Sequence, residues 1–150
     1  MVTMKTTGFA DLEKALEQLP QKAGKPLLRR ALKKAAKPMA DLMRDLAPDG
    51  PGPGDDLKSS ITVAARLSKR QAGLHKKMFQ SDKASVEMFV GPGPDPAAWN
   101  QEFGNVNHGA QPFARPAWEQ DKMPLLDRLG VELWADLERS LKRQAKRAAK

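Results

Sequence analysis

The side chains in this sequence able to do chemistry are few, and they do not converge. The two histidines, His75 and His108, fall in segments that read as loops. Neither has a partner at the i, i+4 spacing by which a helix offers two imidazoles to zinc, so both read as surface residues. Ser59 and Ser60 lie in an alternating segment, without the G-x-S-x-G turn that lifts a nucleophilic serine above a sheet. Asp55 and Asp56 have the charge for a cation, but their glycine and proline neighbours describe a solvated turn. The run Asp49 to Asp56, DGPGPGDD, has no lysine and opens no helix, so it is no phosphate cradle. Glu102 is the only acid of its segment, and one carboxylate does not make an acid–base pair. With no cysteine there are neither disulfides nor thiolate ligands. The expectation is a protein that is not an enzyme, with no catalytic residue, metal, cofactor or small-molecule substrate.

What the chain has in place of chemistry is charge. Its 150 residues carry 26 Lys and Arg against 18 Asp and Glu, a net charge of +8. The excess is striped. Residues 18 to 40 hold Lys22, Lys25, Arg29, Arg30, Lys33, Lys34 and Lys37 with no acid. Residues 57 to 81 hold Lys58, Arg66, Lys69, Arg70, Lys76 and Lys77, again with no acid, and the last twelve residues hold six more cations. Such stripes attract phosphate backbones without reading sequence; they are equally the solvated faces of helices. The C-terminal stripe reads as a solvated, frayed helical tail, and the 57 to 81 stripe fits either reading. Aromatic residues are only 5% of the chain, with no tyrosine, which argues against a base-stacking nucleic-acid module. No apolar run approaches the ~20 residues needed to cross a bilayer, so no membrane is expected, and the first nine residues lack the apolar stretch of a secretory signal. The absence of cysteine suits a reducing cytosol. The length fits one domain, 1–150.

The elements that must position these residues follow from periodicity. Val2, Met4 and Thr6 alternate with polar neighbours, as in a short edge strand. Gly8 to Leu19 is a helix with Leu12, Ala15, Leu16 and Leu19 on one face, closed by Pro20. A second helix has Pro26 in its first turn and an apolar stripe of Leu28, Leu32, Ala35, Met39, Leu42 and Leu46, kinked at Pro38 and ending near Pro48. Leu57 to Leu67 and Val86 to Val90 alternate as half-buried strands. Ser68 to Lys83 between them is expected to be an extended, basic, mobile loop. A short helix over Ala97 to Phe103 ends at Gly104, and Asn105 to Pro112 is loop. A last helical region opens at Pro116 and is broken near Pro124, with Leu126, Leu129, Leu133, Leu137 and Leu141 as its apolar face. There is no internal repeat. The fold class is α+β, a small antiparallel sheet packed against two long helices.

One stretch does more than build elements. Trp99-Asn-Gln-Glu-Phe-Gly104 is followed, after a spacer, by Gln111-Pro-Phe-Ala-Arg-Pro-Ala-Trp118. Glu102, Phe103 and Gly104, with Pro112, Phe113, Arg115, Pro116 and Ala117, match a pattern E-F-G-T followed by P-x-P-F-L-R-P-A, with Asn105 in place of threonine and Ala114 in place of leucine. Gly8-Phe-Ala-Asp-Leu12 is similar to an opening G-L-x-E-L. Ala47–Pro48 with Leu57-Lys-Ser-Ser-Ile61 is similar to A-P-x-x-T-G-x-L-x-x-S-I, although GPGPGDD replaces its short turn, and Val90-Gly91-Pro92 matches V-G-P. In this order the motifs resemble the tail-component, or head–tail joining, proteins of lambdoid-type siphophages. The resemblance implies a virion structural protein, from a phage or resident prophage, at the neck or tail end. It also implies a ring made with copies of itself and contacts with head-connector and tail proteins. A tail-terminator ring is the nearest alternative, and a sequence-independent nucleic-acid-binding protein the rival from another class. In a ring, Arg66, Lys69, Arg70, Lys76 and Lys77 would form a repeated basic band, facing either DNA in the channel or an acidic neighbour. Physically, Phe103 and Phe113 can pin the loop between them, Gly104 permits an unusual backbone angle, the prolines direct the chain into the last helix, and Arg115 can bond carbonyls or a carboxylate. These residues read as building the fold rather than a ligand site.

Overall fold

Two helices carry the architecture. The computed structural model describes residues 9–19, 21–49, 57–80, 86–94 and 96–149. Within these, α1 (Phe9–Glu17), α2 (Gln21–Leu46), α3 (Leu57–Ser60), β1 (Thr62–Ala64), α4 (Lys69–Met78), β2 (Phe89–Gly91), α5 (Pro96–Phe103) and α6 (Ala114–Ala148) follow in order. The strand expected at Val2 to Thr7, Gly8 and Pro20 at the ends of the first helix, and the glycine–proline loop with Asp55 and Asp56 lie outside the described residues. The fold is α+β, mostly helical, with one small antiparallel sheet.

Helices α2 and α6 run antiparallel, since Arg30 pairs with Asp136, Lys34 with Glu132, and Arg128 reaches Ala35. Along α2 the buried side chains change face near Ala35 and Ala36. Leu27 and Ala31 join Leu12, Leu19, Leu133 and Leu137 in one core against α1 and α6. Met39, Ala40, Met43 and Ala47 join Leu57, Ile61, Ala98, Phe113 and Ala117 in a second, under the sheet and α5. The stripe expected from Leu28 to Leu46 is therefore displaced. Leu28, Leu32 and Leu42 are half-buried and Leu46 is exposed, while Ala31, Ala35, Ala36 and Ala40 are buried. Small residues let two helix axes approach closely, so alanines take the contact line and the leucines flank it. On α6, Leu133 and Leu137 are buried but Leu141 is 39% exposed. Leu137→Ala should cost about 2–4 kcal/mol through its cavity, and Leu141→Ala under about 1 kcal/mol, in denaturant melts; equal losses would contradict this placement of the core.

Prolines behave differently from the sequence expectation. Helix α2 begins five residues before Pro26, which is exposed and lies inside the helix rather than in its first turn. Pro124 does not break α6, which is one helix from Ala114 to Ala148. Arg128 lies one turn beyond the proline. Its Nη1 and Nη2 donate to Asp121 Oδ1 and Oδ2 at 2.9 and 2.5 Å, a fork that straddles Pro124. Its Nε and Nη2 also donate to Ala35 O at 3.1 and 3.0 Å, in the turn of α2 that precedes Pro38. One guanidinium thus ties together the two proline-weakened turns.

The sheet is shorter than the alternation suggested. Thr62, Val63 and Ala64 face Gly91, Val90 and Phe89 in antiparallel register. Residues 57–60 form a helical turn instead, with Ser60 Oγ donating to Leu57 O at 2.7 Å and Ile61 N to Lys58 O at 3.3 Å. Leu57 and Ile61 are both buried; a four-residue spacing suits a helix as well as a strand, and the core accepts the turn. The expected basic loop is also corrected, because residues 69–78 are helix α4. Ser68 caps it: Gln71 N donates to Ser68 Oγ at 3.3 Å and Ser68 N to Gln71 Oε1 at 3.3 Å, a reciprocal capping box.

Candidate functional site: a carboxylate-capped helix beside an apolar groove

Helix α6 starts at Ala114 with Phe113 at its cap position, a residue with no side-chain oxygen to meet the first free N–H groups. Glu102 does this from α5. Its Oε2 accepts from Phe113 N and Ala114 N at 2.8 and 2.9 Å, and its Oε1 from Arg115 N at 3.0 Å. Arg115 closes the ring, donating from Nε to Glu102 Oε1 at 2.9 Å and from Nη2 to Glu102 O at 2.8 Å. Glu102 is buried at 6% exposure. Burial pushes its carboxyl pKa up, but the backbone N–H groups of Ala114 and Phe113, with Arg115, outweigh that and hold it below the ordinary value of 4.5. The positive end of the helix dipole favours the same ionised form.

The remaining motif residues surround this cap. Phe113 is in the core at 1% exposure. Gly104 terminates α5 with φ +75°, and an added Cβ would lie 2.9 Å from Ala110 N and 3.0 Å from His108 O, so both conformation and space require glycine. Beyond it, Asn105 and His108 bridge across a tight turn. Pro112 is exposed, and Pro116 is half-buried in the first turn of α6, where its missing N–H is harmless. The Arg115 guanidinium lies 4.7 Å over the Phe103 ring, and Phe103 stacks on Trp99 with centroids 4.4 Å apart.

These aromatics border a groove of about 270 Å³ between α4, residues 92–94 and α5, with Arg70, Leu74, Pro94, Trp99, Phe103 and Phe113 among its lining. Its rim is apolar and open to solvent: Leu74 is 54% exposed, Trp99 67% and Phe103 48%. The sequence set out Trp99 and Phe103 but not their partners on α4. Arg66, Lys69, Arg70, Lys76 and Lys77 are all exposed. Arg70 lines the groove, Lys77 lies within about 20° of it around α4, and Lys69 and Lys76 lie about 100–120° to one side.

The residues first considered for chemistry remain apart. His75 is half-buried rather than superficial, set edge-on against Phe89 at 5.3 Å and tilted on Phe79 at 4.9 Å, which seats α4 on the sheet. His108 is exposed in its turn. Among the described residues no group of three or more His, Asp or Glu could hold a metal ion, and no helix is long and apolar enough to cross a membrane.

Residues 10–104 match the family model described as "Bacteriophage HK97-gp10, putative tail-component". The chain belongs to this family of phage tail components. The match ends at Gly104, so the Pro112–Ala117 half of the motif and α6 lie beyond it. No curated protein and no solved structure matches the chain.

Proposed function

We propose that the protein is a non-enzymatic virion subunit at the junction of phage head and tail, built as a ring of copies of itself and seated on head-connector and tail proteins. The observation that carries this reading is the exposed apolar rim of Leu74, Trp99 and Phe103. Contiguous apolar surface of this kind marks protein–protein contact, and nothing reactive accompanies it. A closed ring needs two different complementary surfaces on each subunit, and this groove supplies one. The hydrogen-bonded cap at Glu102 fixes the orientation of α5, and with it Trp99 and Phe103, relative to α6. The protein acts in the virion and is present in the host cytoplasm while virions assemble. A tail-terminator ring would use the same kind of surface, and position in the particle separates the two.

The test is a double substitution, Leu74→Ser with Trp99→Ser. Both side chains are more than half exposed, so stability should change by no more than about 1 kcal/mol. A phage supplied only with this variant should accumulate unjoined heads and tails. Normal yields of joined particles, with the variant incorporated, would refute the assignment of the groove.

A further inference from the structure

We infer that the N-terminal half of α2 and the C-terminal half of α6 together form a docking surface for the phosphate backbone of duplex DNA. Residues 21–40 hold seven cations and no acid, and residues 132–150 hold six cations against three acids. The rest of the chain then has thirteen cations against fifteen acids, so the whole net positive charge belongs to these two segments. Far apart in sequence, they are brought side by side by the antiparallel pairing of α2 and α6, through Arg30 with Asp136 and Lys34 with Glu132. Arg30, Lys34, Asp136, Arg139, Lys142 and Arg143 line the groove between them.

Three features favour a nucleic-acid duplex over an acidic protein. No apolar or aromatic side chain lines this groove, whereas protein interfaces carry an apolar centre depleted of charge. Asp136, the one acid of the lining, is buried and engaged by Arg139 and Arg30, so it holds the cations in place rather than facing outward. The cations are long, exposed side chains spread along α2 from Lys25 to Lys37, roughly 18 Å at 1.5 Å per residue. A duplex presents a charge every ~1.7 Å, so such a ribbon meets several phosphates at once. With no aromatic side chain in the groove to stack on bases, binding is expected to be indifferent to sequence. The surface shares no residue with the apolar groove and does not depend on the assembly role.

Fluorescence anisotropy on the purified full chain tests this, with two short duplexes of unrelated sequence and a poly-glutamate peptide of matched charge as probes. Both duplexes should bind with similar Kd, in the ~10⁻⁴ to 10⁻⁶ M range at physiological salt, and weaken steeply as salt rises. Lys33→Gln, Lys37→Gln, Lys142→Gln and Arg143→Gln together should weaken binding about tenfold or more and flatten the logarithmic salt dependence by about 3. Removing equal charge from α4, at Lys69, Arg70, Lys76 and Lys77, should weaken it less than about threefold. The pair Lys142→Gln and Arg143→Gln, in an exposed stretch of α6, repeats the test should the quadruple variant unfold. Equal losses from the two quartets would reduce the effect to net charge and overturn the assignment. So would the absence of duplex binding, or ribbon-dependent capture of the peptide with none of the duplexes, which would assign the surface to an acidic protein.

Discussion

Glu102→Ala lowers stability by about 3–5 kcal/mol in denaturant melts, on the order of 10 °C in Tm. The substitution strands the N–H groups of Phe113, Ala114 and Arg115 at the start of α6, one of them buried with Phe113. Each is a bond to an ionised acceptor, the stronger kind, and Phe113 is no cap of its own. Arg115→Ala should cost under about 1 kcal/mol, since the arginine side chain is 60% exposed and its pairing is screened. The two losses differ because the carboxylate is held by backbone, not mainly by its counter-charge. The pH dependence has a definite sign. The folded-state pKa of Glu102 is depressed, so its contribution is complete above the unfolded value near 4.5 and is lost as pH falls through the lower folded value. The stability gap between the natural protein and Glu102→Gln should therefore be widest near neutrality and narrow below about pH 4.5. A gap constant from pH 7 to pH 3 would show that the ionised form is not what caps the helix.

Arg128→Ala is the second large effect, about 3–5 kcal/mol. It leaves the buried Asp121 carboxylate without its forked partner and Ala35 O without two donors, beside prolines in both helices. Arg128→Lys keeps the charge but not the planar fork, and should recover less than half of the loss. A loss below about 1 kcal/mol for Arg128→Ala would mean that packing alone holds α2 on α6 through their proline turns.

Much of the fold was legible. The helices α1, α2 and α6 and the Gly104 stop after α5 follow from local rules, although on α2 the buried line falls largely on alanines rather than on the expected leucines. The misreadings each have a cause. Leu57 and Ile61 satisfy strand and helix spacing alike, and only the core decides between them. Helix α4 has no buried residue and thus little periodicity, although Ser68 and Gln71 at capping-box spacing were a visible sign. Pro124 looked like a break because the local cost of proline is legible, while the Arg128 strap depends on residues seven apart in α6 and on a distant turn of α2. At the candidate site the motif residues stood out, but their mutual roles did not. That Glu102 caps a helix beginning twelve residues later cannot be read from spacing; the absence of Ser, Thr, Asp or Asn at the start of α6 was the one hint that the cap comes from elsewhere. The groove needed Arg70 and Leu74 from a helix read as loop. The cationic ribbon needed the pairing of two segments about a hundred residues apart in sequence.

Locating the protein in purified virions tests the proposed role most directly. Electron microscopy of particles carrying a tag on this chain should show a fixed number of copies at the head–tail junction, arranged around the tail axis. Intact, infectious virions that lack the protein at both neck and tail would contradict it.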